Sequence, residues 1–409
     1  MNGGRRMHGA VDRSAATSPG LQVRRGAHTT PTPRMLRRLL CCLTLICCTW
    51  GHSVSASDAY RAADIATLRH GFAAPPREAG PWVFWIFFEN VMSREEITRE
   101  LEEMAAAGIA GAELRFLSLH GFAGTPGPWF DSEGWTRLGQ KRLEFLGPEF
   151  VDALTHACAE AERLGLRLAI NTGMGWPPGG PWITPQYRSK HLTWQARELS
   201  GPTIFEEQGL PPDSMVLAWK LQQVGEEQTV AAGSFHALTD TIQWQSQTGS
   251  VRWEVPDGRW LIGTFRVTLG GLCDKGIGPE ADPGSRDAVL FHLDQVFSRL
   301  DPKLSRYYGR TLIEVTTDSW EYERGGNRYW SPAILDAFAS VAGYDLREKM
   351  YALLGYGPDQ QQVVADLEQA ERAVTRENFF VEFTRYLHAR GLRHRPQVRG
   401  RGLARDFFE

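Results

Sequence analysis

WVFWIFF at residues 82–88 is a continuous run of aromatic and β-branched residues, and such a run predicts a strand that is buried on both faces. A helix is predicted directly after it, because Ser93 and Glu96 form a capping box and Gly108 supplies a stop signal. The next stretch, IAGAELRFL at residues 109–117, predicts a second strand. A strand, a helix and another strand in this order indicate a parallel sheet flanked by helices.

The same alternation continues along the chain. Residues 149–164 are amphipathic with a helical period and end at Gly165, and LRLAIN at residues 166–171 predicts a third strand. Further elements are predicted in the second half of the chain: a helix at 286–300, a strand at 311–317, helices near 332–341 and 378–390, and a strand at 394–398. We interpret this pattern as an α/β fold of the (β/α)8 TIM-barrel type that is incomplete at its C-terminal end.

A different pattern interrupts the barrel between residues 201 and 271. Apolar and polar residues alternate there, as in VRWEV at 251–255, and turn residues such as Pro256-Asp257-Gly258 separate the stretches. A period of two predicts strands with one buried face. The predicted domains of the mature chain are therefore a first barrel part at 57–200, a small antiparallel β insertion at 201–271 and a continuation of the barrel at 272–409.

The N-terminal residues indicate export. A basic segment that begins at Met35 precedes an apolar stretch at 39–50 and a small-residue sequence that ends at Ala56, which is the order of a secretory signal peptide. We assign 35–56 to this signal, with cleavage near Ala56, and a secreted or periplasmic location to the mature protein. Residues 1–34 are interpreted as an over-long translation start or a disordered segment, and a genuine long n-region is the alternative.

The cysteines are consistent with this interpretation. Four of the six would leave with the signal: Cys41, Cys42, Cys47 and Cys48. A lipid anchor at Cys47 or Cys48 is a weak alternative to simple cleavage. An exported location permits a disulfide between the two remaining residues, Cys158 and Cys273, but does not require one. Cys158 lies in an Ala-rich helical pattern and is expected to be a small buried residue.

Composition and charge narrow the classes of function. A formal net charge of -3 gives no electrostatic basis for binding nucleic acid, and no membrane contact is expected beyond the export signal. The chain contains 14 tryptophans, and many of them adjoin Gly or Pro rather than apolar runs. Aromatic rings on loops can stack on sugar rings, so the composition is compatible with a carbohydrate substrate. The alternative is that these residues fill the core of a large domain.

Carboxylates that directly follow a strand are the first catalytic candidates, because barrel enzymes place their active sites at the C-terminal ends of the strands. Asp318 and Glu321 follow the strand at 311–317, with Trp320 and Trp330 nearby. A glycoside hydrolase needs one carboxylic acid and a second carboxylate, and aromatic surroundings help to keep the acid protonated. The alternative is that Asp318 caps a turn and Glu321 is solvated.

Two further loops are candidate sites. The loop that starts at Asn171 is rich in Gly and Pro and could present Trp176 and Trp182 to a sugar; a structural turn with Trp as a plug is the alternative. Glu280 and Asp282 could bind a hard cation or sugar hydroxyls, although acids near a helix N-terminus commonly just stabilise the helix dipole. His120, His292 and His388 do not have the spacing of metal ligands.

These motifs together resemble the opening of the glycoside hydrolase family 106 α-L-rhamnosidases. The resemblance rests on their order: Trp85 with Ser93 and Glu96, then Ala107-Gly108-Ile109, Gly175-Trp176 with Gly179-Gly180-Pro181-Trp182, Asp318-Ser319-x-Glu321 with Trp330, Gly343-Tyr344-Asp345 and Arg395-x-Gln397. It implies an inverting enzyme that removes terminal α-L-rhamnose from plant glycans or glycosides, assisted by calcium through unidentified ligands. Glu321 would be the general acid, with Asp318 beside it, and Asn171, Trp176, Trp182, Trp320 and Trp330 are the predicted substrate-binding residues.

The chain also departs from the family pattern. Members of the family are much longer, and five predicted strands are fewer than the eight of a complete barrel. The general base is therefore expected beyond Glu409, and we expect the chain to be an inactive N-terminal fragment of such an enzyme. The alternatives are a non-catalytic carbohydrate-binding protein on the same scaffold and a glycosidase for another sugar.

Overall fold

The structure is a computed structural model that describes residues 65–118, 141–271, 273, 276–318 and 328–397. The predicted leader (1–34) and signal peptide (35–56) lie outside the described residues. The chain divides into two compact units, residues 1–73 and 74–409. The described part of the first unit is helix α1 (Ile65–Ala73). No helix in the described ranges is long and apolar enough to cross a membrane.

Twelve strands are described in the second unit. They are β1 (Trp82–Phe88), β2 (Gly111–Leu117), β3 (Arg167–Asn171), β4 (Lys190–Leu210), β5 (Met215–Val224), β6 (Glu227–Val230), β7 (His236–Ala237), β8 (Gln243–Gln245), β9 (Thr248–Leu269), β10 (Leu312–Thr317), β11 (Arg328–Trp330) and β12 (Arg393–Pro396).

The helices that accompany them are α2 (Arg94–Ala106), α3 (Pro148–Leu164), α4 (Arg286–Leu304), α5 (Ala333–Ala342), α6 (Leu346–Lys349), α7 (Gln360–Thr375) and α8 (Glu382–His388). Short 3-10 segments lie at Arg77–Ala79, Leu238–Thr241, Ser305–Tyr307 and Met350–Leu354, and a π-helical turn, Arg376–Val381, leads into α8.

A five-stranded parallel sheet has the order β1-β2-β3-β10-β12. Each strand pairs with the next strand of this sheet along the chain, and a helix precedes each new strand: α2, α3, α4 and α8. The five strands lie at the predicted places, and their mixed α/β arrangement is established. The described sheet is not closed into a barrel, since β1 and β12 are its two edges.

The helix boundaries follow from local signals. The Ser93 hydroxyl accepts a hydrogen bond from the Glu96 backbone N–H at 3.2 Å and caps α2, while Ser285 caps α4 in the same way at 3.3 Å. Gly165 ends α3 with φ of +71°, a conformation that glycine adopts without steric cost. One face of the parallel sheet packs against these helices in a single hydrophobic core.

The antiparallel sheet begins earlier than the predicted insertion. Its strands β4 to β9 lie between Lys190 and Leu269, and β11 (Arg328–Trp330) joins them later in the chain. The strand order is β11-β4-β9-β5-β6, with β7 on β5 and β8 on β9. Pro256-Asp257-Gly258 does not end a strand: β9 continues through it, with a shift of register opposite Gly201. A Cβ on Gly201 would lie 1.9 Å from the Pro256 carbonyl oxygen, so this close crossing of β4 and β9 requires glycine.

Helices α5 to α7 cover one face of the antiparallel sheet. Trp219 on β5 is 1% exposed and its indole N–H donates to the Glu348 carbonyl at 2.8 Å. Phe265 on β9 and Phe338 on α5 belong to the same core. Helix α7 was not among the predicted elements, although its buried residues Val363, Leu367 and Ala370 have helical spacing.

A buried carboxylate joins the loop before α4 to strand β11. Asp282 is 1% exposed and accepts hydrogen bonds from the Tyr329 hydroxyl (2.5 Å), the Ser331 hydroxyl (3.1 Å) and the Gly284 backbone N–H (2.9 Å). Burial raises the pKa of Asp282, whereas these donors lower it. With its oxygens engaged by the protein, Asp282 serves as a tie between segments rather than as a ligand site.

We expect Tyr329→Phe to lower the free energy of unfolding by about 1.5–3 kcal/mol, because it removes a donor to a buried carboxylate. Tyr356→Phe is the matched control: the Tyr356 hydroxyl also donates to a carboxylate, that of Glu198, but this bond is at the surface. Its loss should cost less than about 1 kcal/mol. Urea unfolding of both variants measures the two losses in the free energy of unfolding. Equal losses would show that the buried hydrogen bond to Asp282 stabilises the fold no more than a surface one.

Candidate functional site

The parallel sheet has a helix-covered face and an opposite face, here called the inner face. On β2, Ala112, Leu114 and Phe116 belong to the core under the helices. Successive residues of a strand point to opposite sides, so Glu113 and Arg115 lie on the inner face. By the same alternation and the strand register, the inner face also carries Phe84 of β1, Asn171 of β3, Glu314 and Thr316 of β10, and Arg395 of β12.

A buried ion-pair chain connects β2 to the predicted catalytic loop. The Arg115 guanidinium pairs with Glu113 through Nε and with Asp318 through Nη1. Glu113 and Arg115 are 2% and 5% exposed. Asp318 directly follows β10, so Arg115 holds this predicted catalytic carboxylate at the C-terminal end of its strand. Buried charges need such partners, because taking an isolated charge out of water costs several kcal/mol.

The chain of charges continues across the inner face to β12. Glu113 also accepts a hydrogen bond from the Thr316 hydroxyl at 2.9 Å, and its second oxygen pairs with Arg395. Arg395 and Arg393 each pair with Glu314 at 2.9 Å. The carboxylate of Glu113 is therefore bound by side chains from three strands, which fixes β2 and β12 relative to β10.

Aromatic rings lie beside the same guanidinium. The Arg115 Cζ atom is 4.9 Å from the ring centre of Phe84 and 5.7 Å from that of Trp176, both within the range of cation–π attraction. Trp176 is half-buried, so part of its surface remains exposed. The structure thus brings two of the predicted site residues, Asp318 and Trp176, to one arginine.

Asn171 is the third predicted residue on this rim. It ends β3, is 6% exposed, and its amide Nδ2 donates to the Gly175 carbonyl at 3.2 Å. Its Oδ1 is buried, and the part of the chain that the structure describes offers it no hydrogen-bond partner. This donor–acceptor assignment leaves an oxygen that can accept a hydrogen bond from a hydroxyl or contact a cation.

Two residues that the sequence did not single out follow β1 at the same end of the sheet. Glu89 and Asn90 both have φ of +53°, a left-handed conformation that costs a non-glycine residue about 1–2 kcal/mol. The Glu89 carboxylate accepts from the Ser118 hydroxyl at 3.1 Å. Asn90 Nδ2 contacts the Met174 sulfur at 3.4 Å, and its buried Oδ1 has no hydrogen-bond partner among the described residues. Strained backbone of this kind occurs frequently at functional sites.

Trp182 is half-buried, as Trp176 is, and its ring and its indole N–H have partners within the protein. Its ring stacks on Phe145 with centres 6.3 Å apart, and the Arg299 Cζ atom lies 5.7 Å from its centre. Its indole N–H donates to His292 Nδ1 at 3.3 Å. An indole N–H can only donate, so His292 Nδ1 accepts and Nε2 carries the proton that is given to the Thr172 hydroxyl, 3.1 Å away. This corresponds to the structural-plug alternative, and sugar binding by Trp182 stays a prediction.

The other predicted residues are placed differently or not described. Trp330 is 2% exposed and packs in the core between the antiparallel sheet and its helices, so its ring has no open face in this structure. Trp320 and Glu321 lie outside the described residues, as does His120. Cys158 and Cys273 are buried and not joined by a disulfide, and burial raises the pKa of the Cys158 thiol to about 12.

A cavity of about 690 Å³ opens at the other end of the sheet. Its lining includes Trp82, Arg167, Glu314, Arg393 and Arg395, and it lies where the strands begin. In α/β folds with parallel strands, ligands bind outside the carboxyl ends of the strands, so this cavity is not the candidate site. The site consists of the strand ends around Arg115, Asp318, Trp176, Asn171 and Asn90. A carboxylate, two amide oxygens and an aromatic ring at one rim suit the recognition of a hydroxyl-rich ligand.

Glu113 and Arg115 were not among the residues predicted from the sequence, and Arg395 was predicted only as part of a family motif, without a role in the site. The available signal was a pair of opposite charges at a spacing of two inside IAGAELRFL, a stretch otherwise read as a buried strand. Charged residues are almost never fully buried unless they are paired. Such a pair therefore predicts which face of the strand carries buried charges. The sequence does not show which distant residues bind these charges.

Stability is expected to depend on His292 at acid pH. Burial lowers the pKa of His292 to about 3, and that of His394 likewise to about 3. The unfolded chain takes up protons on these two histidines as the pH falls below about 6.5, whereas the folded chain does not. Their contribution to the free energy of unfolding is therefore fully present above about pH 6.5 and is lost as the pH falls toward 3. Between pH 6 and 4, His292→Gln should reduce the slope of the unfolding free energy against pH by about 1.4 kcal/mol per pH unit.

His394→Gln should produce a similar reduction in slope, and the double variant should show the sum. Urea unfolding at several pH values measures these slopes. A slope that His292→Gln leaves unchanged would contradict the assignment of a neutral, buried imidazole at this position.

Comparison with known proteins relates the chain to a family of glycoside hydrolases. A family model described as alpha-L-rhamnosidase, glycoside hydrolase family 106, matches residues 73–236 and 215–405. A curated relative named putative beta-glucuronidase, from Formosa agariphila, is 25% identical over 383 residues, which cover 83% of this chain and 31% of that protein. The chain thus spans about a third of the length of this relative.

The solved structure of a rhamnosidase from Novosphingobium sp. PP1Y is similar in fold. Its TM-score is 0.55 at 17% sequence identity, and the match covers 81% of this chain and 47% of that chain. At this level of identity the likeness concerns the fold alone. The family model, by contrast, matches most of the chain, in the region that carries Arg115, Trp176 and Asp318. The chain therefore belongs to glycoside hydrolase family 106.

Proposed function

We propose that this chain carries half of the active site of an α-L-rhamnosidase, an inverting glycoside hydrolase in which Glu321 is the general acid. The observation that supports the proposal most directly is the position of Asp318. Arg115 holds its carboxylate at the C-terminal end of β10, three residues before Glu321. Family membership supports glycoside hydrolysis, and rhamnose as the sugar is the finer part of the proposal.

We propose further that the parallel sheet is part of a (β/α)8 barrel. Each described strand pairs with the next in sequence, which is the barrel order, and the inner face of the edge strand β1 leaves Phe84 66% and Ile86 40% exposed. Additional parallel strands against β1 and β12 would cover these side chains and remove the open edges. The general base, which must lie roughly 6.5–9.5 Å from the acid in an inverting enzyme, belongs on one of those strands.

The described residues contribute binding and positioning. Trp176 offers a half-buried ring to the sugar, and Asp318, kept in place by Arg115, can accept hydrogen bonds from sugar hydroxyls beside the acid. Asn171 presents an amide oxygen at the same rim. Glu321 would donate its proton to the glycosidic oxygen, and a water activated by the base would attack the anomeric carbon from the opposite face.

Calcium is implied by the resemblance alone. Calcium takes six to eight oxygen ligands. Among the described residues no group of three or more Asp, Glu, His or Cys side chains converges to hold a metal ion, and the amide oxygens of Asn90 and Asn171 fall short of such a set. The described residues do not fit a calcium ion by themselves, so no step is derived through one. Calcium binding by the whole enzyme stays a proposal.

The acid role of Glu321 is tested by Glu321→Gln in the full-length enzyme with two leaving groups. A general acid contributes about 10²- to 10⁴-fold, so kcat/KM for phenyl α-L-rhamnoside should fall by that factor. The 2,4-dinitrophenyl rhamnoside should lose much less, because its leaving group departs without a proton. Glu323→Gln, two positions further along the sequence, is the matched control and should retain the rate on both substrates.

The outcomes separate the alternatives. Equal losses on both leaving groups, or an unaffected rate, would remove Glu321 from the acid role. Rhamnose binding without turnover in the unmodified full-length protein would favour the non-catalytic carbohydrate-binding alternative. Because a relative is named a putative beta-glucuronidase, a β-glucuronide belongs in the substrate panel. Turnover of the glucuronide but not of the rhamnoside would identify another sugar.

The 409-residue chain by itself is expected to show no rhamnosidase turnover, because the proposed base lies outside it. The open edges of the sheet and the exposed inner side chains of β1 should also broaden its thermal unfolding. Calorimetry and an assay of the anomeric product by proton NMR measure both properties. A cooperative melt together with turnover by this chain would overturn the fragment hypothesis.

A further inference from the structure

We propose that Arg115 is a positioning residue that sets the Asp318 carboxylate and the Trp176 ring relative to each other. The proposal deepens the proposed function, since it rests on Asp318 and Trp176 belonging to the sugar site. In this proposal, one guanidinium couples the position of Asp318, which follows β10, to that of Trp176, which follows β3. Neither the family pattern nor the sequence motifs assign this role to Arg115.

The first argument is the geometry of the guanidinium. A guanidinium is planar and carries five N–H donors in a rigid fork. On Arg115, Nε is bound by Glu113 and Nη1 by Asp318, so carboxylates hold the group at two of its three nitrogens. The side chain is 7% exposed and lies on the inner face, where water does not compete effectively for its donors. The orientation of the plane is therefore fixed.

The second argument is that the anchor of this arginine is itself immobile. Glu113 is 2% exposed, and besides Arg115 it binds the Thr316 hydroxyl and Arg395. These partners come from β10 and β12, so three strands hold one carboxylate. Any displacement of the Glu113–Arg115 pair would have to break bonds to the strand whose end carries Asp318. The sheet therefore fixes the position of Asp318 through Arg115 and Glu113.

The third argument concerns Trp176. Its ring centre is 5.7 Å from the Arg115 Cζ atom, and that of Phe84 is 4.9 Å away. Trp176 lies on a loop whose Gly175 backbone N–H also donates to the Phe116 carbonyl of β2 at 2.8 Å. The loop is therefore tied to β2 twice, once through its backbone and once through the cation–π contact. Asp318 and Trp176 reach the same guanidinium from strands that are neighbours in the sheet.

Lysine cannot replace this arrangement. An ammonium group is a point charge, and it cannot bind two carboxylates through a planar fork while also lying against a ring. Arg115→Lys keeps the charge that Glu113 and Asp318 need but releases the fixed orientation. The variant therefore separates positioning from simple charge compensation.

The test uses the full-length enzyme with 5-fluorotryptophan incorporated and 19F NMR as the readout. Trp176→Phe and Trp182→Phe assign two of the tryptophan resonances. We expect Arg115→Lys to shift the Trp176 resonance and to leave that of Trp182 in place. Asp318→Asn should also shift the Trp176 resonance, because Arg115 then loses one of its two carboxylates.

Arg299→Lys is the matched control. Its guanidinium lies 5.7 Å from the Trp182 ring centre, the same distance as in the Arg115–Trp176 pair. It should shift the Trp182 resonance and leave that of Trp176 in place. If the Trp176 resonance responds neither to Arg115→Lys nor to Asp318→Asn, the proposed coupling is wrong. Asp318→Asn also keeps the test valid if Arg115→Lys does not fold, since Asp318 lies at a strand end and is less buried than Arg115.

Kinetics of the same variants distinguish this inference from the proposed function. On phenyl α-L-rhamnoside, Arg115→Lys should lower kcat by about 100-fold, the effect expected when a reacting group is misplaced by about 1 Å, with a smaller change in KM. Resonance shifts in an enzyme without rhamnosidase activity would retain Arg115 as the coupling residue and reject the function. Unchanged resonances in an active enzyme would do the reverse.

Discussion

The inner face of the parallel sheet depends on one buried carboxylate, that of Glu113. An unpaired charge at this depth would cost several kcal/mol, so the fold is acceptable only with cationic and hydroxyl partners within reach. Arg115, Arg395 and Thr316 supply them, from β2, β12 and β10. A slip of one residue in any of these strands would move the partner to the helix-covered face. The ion pairs and the strand register therefore determine each other.

This constraint extends to the strand ends. Arg115 is oriented by Glu113 and in turn holds Asp318, so the inner face sets the position of a side chain at the rim. On the other face, the apolar residues of the same strands pack under α2, α3, α4 and α8 and contribute no directional contacts of this kind. Because successive residues of a strand point to opposite faces, the two faces have different roles. One face stabilises the fold by burying apolar area, and the other fixes the positions of the strands and of Asp318 through ion pairs.

Local patterns were sufficient for most elements of the parallel sheet. The run at 82–88 became β1 with the predicted bounds, and the helices closed by Gly108 and Gly165 end where those glycines predicted. Local sequence patterns were insufficient where a residue distant in the sequence determines the local structure. Pro256 was interpreted as a turn, but the crossing with Gly201 carries β9 through it. Glu113 was passed over because Arg395, 282 positions away, is among the partners that make its burial tolerable.

The tryptophans show why composition alone could not locate the site. Trp176 and Trp182 occur in the same Gly- and Pro-rich loop and had the same predicted role. Trp182 stacks on Phe145 and donates to His292, so these partners pack against one face of the ring and fix the His292 tautomer. Trp176 lies beside Arg115, which also binds Asp318. Both rings lie beside an arginine, so what separates the two positions is that the charge beside Trp176, that of Arg115, also binds a predicted catalytic carboxylate. That charge comes from a strand about sixty residues earlier in the chain, which only the fold brings into contact.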